Sequence, residues 1–210
     1  MVVYRDDSSY HDLRLLVTRD KMESMASIVT IYGTGEGQTA KVADRIADEL
    51  GIRGHETMTV NVKEAGSVEL ADFEAVLLGA SIHMGRHQKA VRKFATANRD
   101  VLMTKPTGFF QVSGASGEGT EAGDTEAIGY LDDFIAATNW RPDRIGFFGG
   151  AFRFSEYGFL MRAVMKRIVK KKNPELDPPL DIEFTDWEEV AAFADEFGTF
   201  VEERLAEAIE

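Results

Sequence analysis

Cysteine is absent from all 210 residues. That excludes disulfides, thiol nucleophiles, iron–sulfur ligation and any cysteine-based zinc site. Positive charge is scarce as well: 24 lysines and arginines face 36 aspartates and glutamates, a formal net charge of −12. A chain this acidic repels phosphate backbones, so no nucleic acid is expected as a partner. No apolar run approaches the ~20 residues of a membrane span. The four histidines fall in no ligand spacing with carboxylates, and no metal site is expected. What remains is an ordinary globular composition, 44% hydrophobic and 29% charged, of a length that suits one domain better than two. The expectation is a soluble, cytoplasmic protein.

Residues 1–24 differ from the rest of the chain. Their longest apolar run is Leu15-Leu16-Val17, with charges throughout and no signal-peptide core. They are expected to form a poorly ordered extension ahead of a domain spanning 25–210; an ordered helix docked on that domain is the other reading. From Ile28 onward, short strand-like runs alternate with helical patterns. Strands are expected at Ile28–Tyr32, Thr57–Val62, Ala75–Ala80, Gly108–Val112 and Ile145–Gly149. Helices are expected at Thr39–Leu50, about Gln88–Leu102 and about Thr125–Thr138. A last helix starts from a cap at Thr185 or Asp186, each with a glutamate three residues on. It is expected to bury Trp187, Val190, Ala191, Ala194, Phe197 and Val201. Alternation of this kind predicts an α/β fold, a doubly wound five-stranded parallel sheet with helices on both faces. Its ligand belongs at the carboxyl ends of the strands, where the winding reverses.

The segment Thr34-Gly35-Glu36-Gly37-Gln38-Thr39 joins the first strand to the first helix. Its glycines permit a tight turn with inward-facing N–H groups, its threonines add hydroxyls, and the helix presents its positive end. This is the make-up of a phosphate cradle. No lysine follows Gly37, so the loop of a nucleoside triphosphatase is excluded. The spacing Gly33, Gly35, Gly37 also fails the dinucleotide fingerprint. A cradle of hydroxyls and amides with no base suits one phosphate monoester. Two more loops should flank it: Ser81-Ile82-His83-Met84-Gly85, and the stretch from Ser113-Gly114 to Gly119. His83 and His87 are candidate proton donors there, or surface histidines with no task.

The run Ile31 to Ala40 resembles the FMN-phosphate loop of flavodoxins. Four further stretches narrow the likeness. Gly79-Ala80-Ser81-Ile82 with Gly85, Trp140-Arg141-Pro142-Asp143-Arg144, Gly150-Ala151-Phe152-Arg153 and Thr185-Asp186-Trp187-Glu188 resemble the menaquinone-dependent protoporphyrinogen IX dehydrogenase family. The similarity runs over roughly residues 27–198. It implies a flavodoxin-like fold holding FMN without a covalent bond, a porphyrinogen as substrate and a membrane quinone as electron acceptor. Carried onto this chain, Thr34, Gly35, Glu36, Gly37, Gln38 and Thr39 would bind the FMN phosphate. Ser81, Ile82, His83, Met84, Gly85, Ser113 and Gly114 would border the ring. The sequence departs from flavodoxins in offering Met84 where they usually stack an aromatic. It also sets Glu118, Glu121 and Asp124 in a loop that repels the carboxylates of a porphyrin.

Two other readings stay open: an electron carrier without a small-molecule substrate, which the acidic balance suits, and a flavin-binding regulatory domain. A carrier has no need of the segment from about Phe152 to Pro179. Within it, Phe159–Lys172 holds six basic residues and no acidic one. Leu160, Met161, Val164, Met165, Ile168 and Val169 share one helical face, with Arg162, Lys166 and Lys170 on the other. The pattern predicts an amphipathic helix on the cytoplasmic face of a membrane, or one whose apolar side packs on the sheet.

Overall fold

Ser27–Gly33 forms strand β1 because its apolar residues fit both sides of a covered sheet: Ile28 is buried on one face, Val29 and Ile31 on the other. A computed structural model describes residues 25–152, 167 and 181–208. The expected extension 1–24 and, Arg167 excepted, the segment Phe159–Lys172 lie outside the described residues. After β1 come helix α1 (Gln38–Arg53), β2 (Glu56–Asn61) and two short 3-10 turns. Then follow β3 (Ala75–His83), β4 (Arg86–His87), α2 (Lys89–Ala97) and α3 (Arg99–Leu102). The series continues with β5 (Thr107–Ser113), α4 (Glu121–Thr138) and β6 (Arg144–Gly149). It closes with β7 (Ala151–Phe152), β8 (Ile182–Glu183) and α5 (Trp187–Glu207).

The parallel strands run in the order β2-β1-β3-β5-β6, the expected five-stranded sheet. Two additions were not anticipated. β4 folds back antiparallel on the end of β3, and β7 and β8 make a separate two-stranded sheet. Helices α1 and α5 cover one face, packing Val42, Ile46, Leu50, Phe193 and Phe197 on Ile28, Leu77 and Phe110. Helices α2 and α4 cover the other, where Val91, Ala95, Leu131 and Phe134 meet Val76, Leu78 and Phe109. Strand parity explains the division, since Leu77 points one way and its neighbours Val76 and Leu78 the other.

The single helix expected over Gln88–Leu102 is two. Asn98 adopts non-helical backbone and its side-chain amide donates to the Phe94 carbonyl at 2.9 Å, closing α2 before α3 starts. The cap of the last helix is Asp186, whose carboxylate accepts from the Glu188 and Glu189 amides. Val190, Ala194, Phe197 and Val201 are buried as expected, whereas Trp187 and Ala191 are only half-buried.

Gly79 sits mid-sheet opposite Phe110, whose ring lies across it. A Cβ there would come within 2.1 Å of the ring. Both neighbours are buried, so Gly79→Ala should cost about 1–3 kcal/mol. Urea unfolding should show a lower midpoint with an unchanged slope.

Candidate functional site

The strand register lines up one edge of the sheet. Gly33 pairs with Ala80, Ser81 with Val112 and Ser113 with Gly149, so the loops after β1, β3, β5 and β6 emerge together. Between β1 and β3 the winding reverses, which leaves a crevice between residues 34–37 and 81–87.

On the β1 side, Thr34 Oγ1 accepts from the Gly37 N–H at 2.8 Å and Gly37 takes a left-handed conformation, φ 88°. This turn delivers the chain into α1 with no side-chain cap and no acidic residue in the first helical turn. The end of α1 is therefore a donor-rich, positive terminus. Thr39, 1% exposed, has a buried hydroxyl without a partner among the described residues. An unused buried hydroxyl beside an uncapped helix start fits a single phosphate group.

Gln38 behaves differently from the expectation that it lines the cradle. It is 4% exposed and turned inward, its Nε2 donating to Thr185 Oγ1 at 2.8 Å. Thr185 in turn donates to the Gly149 carbonyl at 2.6 Å. Lys41 pairs with Glu183 at 3.1 Å. Burial pulls the Glu183 carboxyl up, but the bonds from Lys41 and Trp187 outweigh it and hold the group low. The first turn of α1 is thus tied to the strand end of β6 and to β8. Gly35 is exposed, and Thr34, Glu36 and Gly37 are half-buried along the rim.

On the β3 side the strand runs on to His83 and returns through a two-residue turn, Met84-Gly85. Both central residues have positive φ, 50° and 75°, as a tight hairpin of this hand requires. Methionine in that conformation is strained, and Met84 is 90% exposed at the tip. Ser81 and Ile82 are half-buried and His83 is exposed. Ser113 is buried, holding Ser116 through hydroxyl and amide, while Gly114 stands exposed.

The structure separates the two histidines. His83 stays at the surface of the hairpin, but His87 is buried between Phe109 and Phe134, ring centroids 5.4 and 5.0 Å away. Burial pushes His87 down to about 4, with Gln111 offsetting part of that and Arg92 adding to it. It is a neutral core side chain, not a surface one.

Two residues of this edge had not been singled out. Gln88 reaches across the crevice to Ser81, Gly33 and Gly35. Its signal was a glutamine at a helix start, where Ser, Thr, Asp or Asn is usual. Tyr130 of α4 lies beside Gly85 and donates to Glu126. Its phenol is pushed up to about 12, by burial first and then by Glu126 and Glu118. Among the described residues no group of three or more histidines or carboxylates is placed to hold a metal.

A parallel sheet of order β2-β1-β3-β5-β6, with a glycine-rich turn at its reversal point, defines a flavodoxin-like α/β domain. Similarity to known proteins agrees. The flavodoxin-domain family model matches residues 29–178, and the chain belongs to that family. It is 30% identical over 166 residues to the protoporphyrinogen IX dehydrogenase (quinone) of Escherichia coli, covering 79% of this chain and 91% of the relative. To the enzyme of the same name from Leishmania major it is 32% identical over 171 residues, covering 80% and 72%. Among solved structures, a short-chain flavodoxin associated with a non-canonical PDU bacterial microcompartment shares the fold. Its TM-score is 0.51 at 14% identity, over 84% of this chain and 99% of that one.

His87 gives the fold a pH dependence whose sign follows from its depressed pKa. Between about pH 6.5 and 4 the unfolded chain holds a proton there that the folded chain refuses, so stability falls with acidification. The contribution, complete above the unfolded pKa, is roughly 3 kcal/mol. Chemical denaturation of His87→Gln and the native protein at pH 7 and 4 should show that the variant loses less by about this amount.

Proposed function

We propose that the chain is an FMN-dependent oxidoreductase that oxidises protoporphyrinogen IX and delivers electrons to a membrane quinone. The observation that carries this reading is the uncapped start of α1, with the buried, unpartnered Thr39 hydroxyl beside it. The names of the E. coli and L. major relatives support the substrate and the acceptor.

Thr34, Gly35, Glu36, Gly37 and Thr39 would hold the phosphate, through backbone N–H groups and hydroxyls, with Gln38 fixing the turn from behind. Ser81, Ile82, His83, Met84, Gly85, Ser113 and Gly114 would border the ring. When bound, FMN supplies the electron transfer itself. The side chains bind and orient. Met84 would offer a polarisable thioether against a planar group, and His83, open to solvent, would pass on protons released by a porphyrinogen.

The net charge of −12 would also serve an electron carrier that steers to basic partners. One assay separates the readings. Flavin-loaded protein mixed anaerobically with protoporphyrinogen IX should bleach, and a menaquinone analogue should restore the oxidised flavin colour. A carrier would be reduced by a protein partner and not by the porphyrinogen.

For the cofactor, the protein should be yellow as purified and release FMN, not FAD, on denaturation. Thr39→Val keeps the shape and removes the unpartnered hydroxyl. The apo-protein should melt at the same temperature or higher, while its Kd for FMN rises about tenfold, one lost hydrogen bond. A drop in stability with unaltered affinity would contradict the assignment.

The basic segment Phe159–Lys172 is read as a peripheral membrane contact, each Lys or Arg near anionic lipid adding ~1 kcal/mol. Co-sedimentation with vesicles containing anionic phospholipid should be lost when Lys166, Lys170 and Lys171 are changed to Glu. Unchanged binding and unchanged quinone reduction would end that part of the reading.

A further inference from the structure

Gln88 occupies the N-terminal boundary of α2, in extended backbone at φ −56° and ψ 133°, yet its side chain does not cap that helix. It crosses the crevice. Its Nε2 donates to Ser81 Oγ at 3.0 Å, and its Oε1 fills the space in front of Gly33, where a Cβ would lie only 2.4 Å away. The same amide nitrogen lies 3.8 Å from the place a Cβ would take on Gly35. One side chain therefore lies between the end of β1 and Ser81, and Gly33 has no room for a Cβ because Gln88 and Val91 both stand in front of it. The direction of the Ser81 bond has a chemical consequence. A hydroxyl that accepts from Gln88 keeps its proton for another acceptor. Ser81 itself stands at the carboxyl edge, paired with Val112 and one residue beyond the partner of Gly33.

We infer that Gln88, seated against the end of β1, is a positioning residue, which turns the Ser81 hydroxyl into a hydrogen-bond donor toward the flavin. This rests on the proposal that the chain binds FMN. It assigns no chemistry to Gln88 itself; the amide acts through Ser81.

The test is a thermodynamic cycle on flavin binding, read by quenching of flavin fluorescence with apo-protein. Gln88→Glu replaces the amide donor by a carboxylate of the same shape, which forces Ser81 to donate backward. At pH 8 the Kd should rise about tenfold, the usual worth of a hydrogen bond. It should fall back toward the native value near pH 4.5, where the introduced carboxyl regains a proton to donate. Riboflavin, which lacks the phosphate, should show the same loss, which separates it from simple charge repulsion. In a Ser81→Ala background the same change should alter Kd less than twofold. Gln88→Met, neutral and close in size, provides a second variant if the glutamate disturbs folding; its loss should also vanish in the Ser81→Ala background. Additive losses with Ser81→Ala, or undiminished affinity in both Gln88 variants, would overturn the role of Gln88. Failure of the native protein to bind FMN at all would instead overturn the functional reading.

Discussion

The position of β1 between β2 and β3 governs the carboxyl edge of this molecule. Right-handed crossovers carry the chain from β1 to one neighbour over one face, and from β2 back to the other neighbour over the opposite face. The two loops that leave β1 and β3 must then part, because their following helices belong to different layers: α1 to the layer with α5, α2 to the layer with α4. A gap between diverging loops is the outcome of topology alone. What the residues decide is what faces into it, and here they supply N–H groups, small hydroxyls and one bridging amide. Lys41, near the gap, is engaged with Glu183.

The two ends of the sheet are finished differently. At the amino end several polar groups bond to one another. Ser27 bonds Glu74 through both its amide and its hydroxyl, and Thr107 does the same with Asp143 at 2.8 and 2.9 Å. The Ala26 amide donates to His55 Nδ1, and Arg53 joins Glu202, Thr199 and Asp195. At the carboxyl end the first turn of α1 is left without a side-chain cap and Thr39 without a partner among the described residues. A polar group left unbonded in a buried place costs stability, and the Thr39 hydroxyl stands in that position beside an uncapped helix start.

Much of this was legible from residue order. The run Ala75–Ala80, apolar on both faces, can only be a central strand, and Val42, Ile46 and Leu50 recur at helical spacing on α1. The tight turn between β1 and α1 was readable from its recurring glycines, and Gly37 does take a left-handed conformation. Three features were hidden. The return of β3 through Met84-Gly85 needs positive φ at a methionine, a residue that signals no turn. The break at Asn98 depends on one side-chain amide choosing the Phe94 carbonyl over solvent. Gln38 lies inside the glycine-rich motif, yet its side chain turns inward to Thr185. A motif records which residues sit together, whereas the partner Thr185 stands 147 positions away.

That long-range link changes what the segment after β6 means. β7 and β8 pair antiparallel, Ala151 with Glu183 and Phe152 with Ile182, and so bring residues 151–152 and 182–183 side by side. Phe184 packs on Gly117 and Gly149 so closely that a Cβ on Gly149 would lie 2.2 Å from its carbonyl oxygen. The next residue, Thr185, is the one that receives Gln38. β8 and Thr185 are therefore built into the same hydrogen-bonded unit as the start of α1, through Gln38 on one side and Lys41–Glu183 on the other. Anything that orders the first turn of α1 also steadies β8, and the reverse holds by the same bonds. Two contacts, Gln38 with Thr185 and Lys41 with Glu183, thus join the first turn of α1 to the strand pair that follows β6. Such a junction fixes the start of α1 against β8 and the carboxyl end of β6, so the glycine-rich turn is braced by residues much further along the chain.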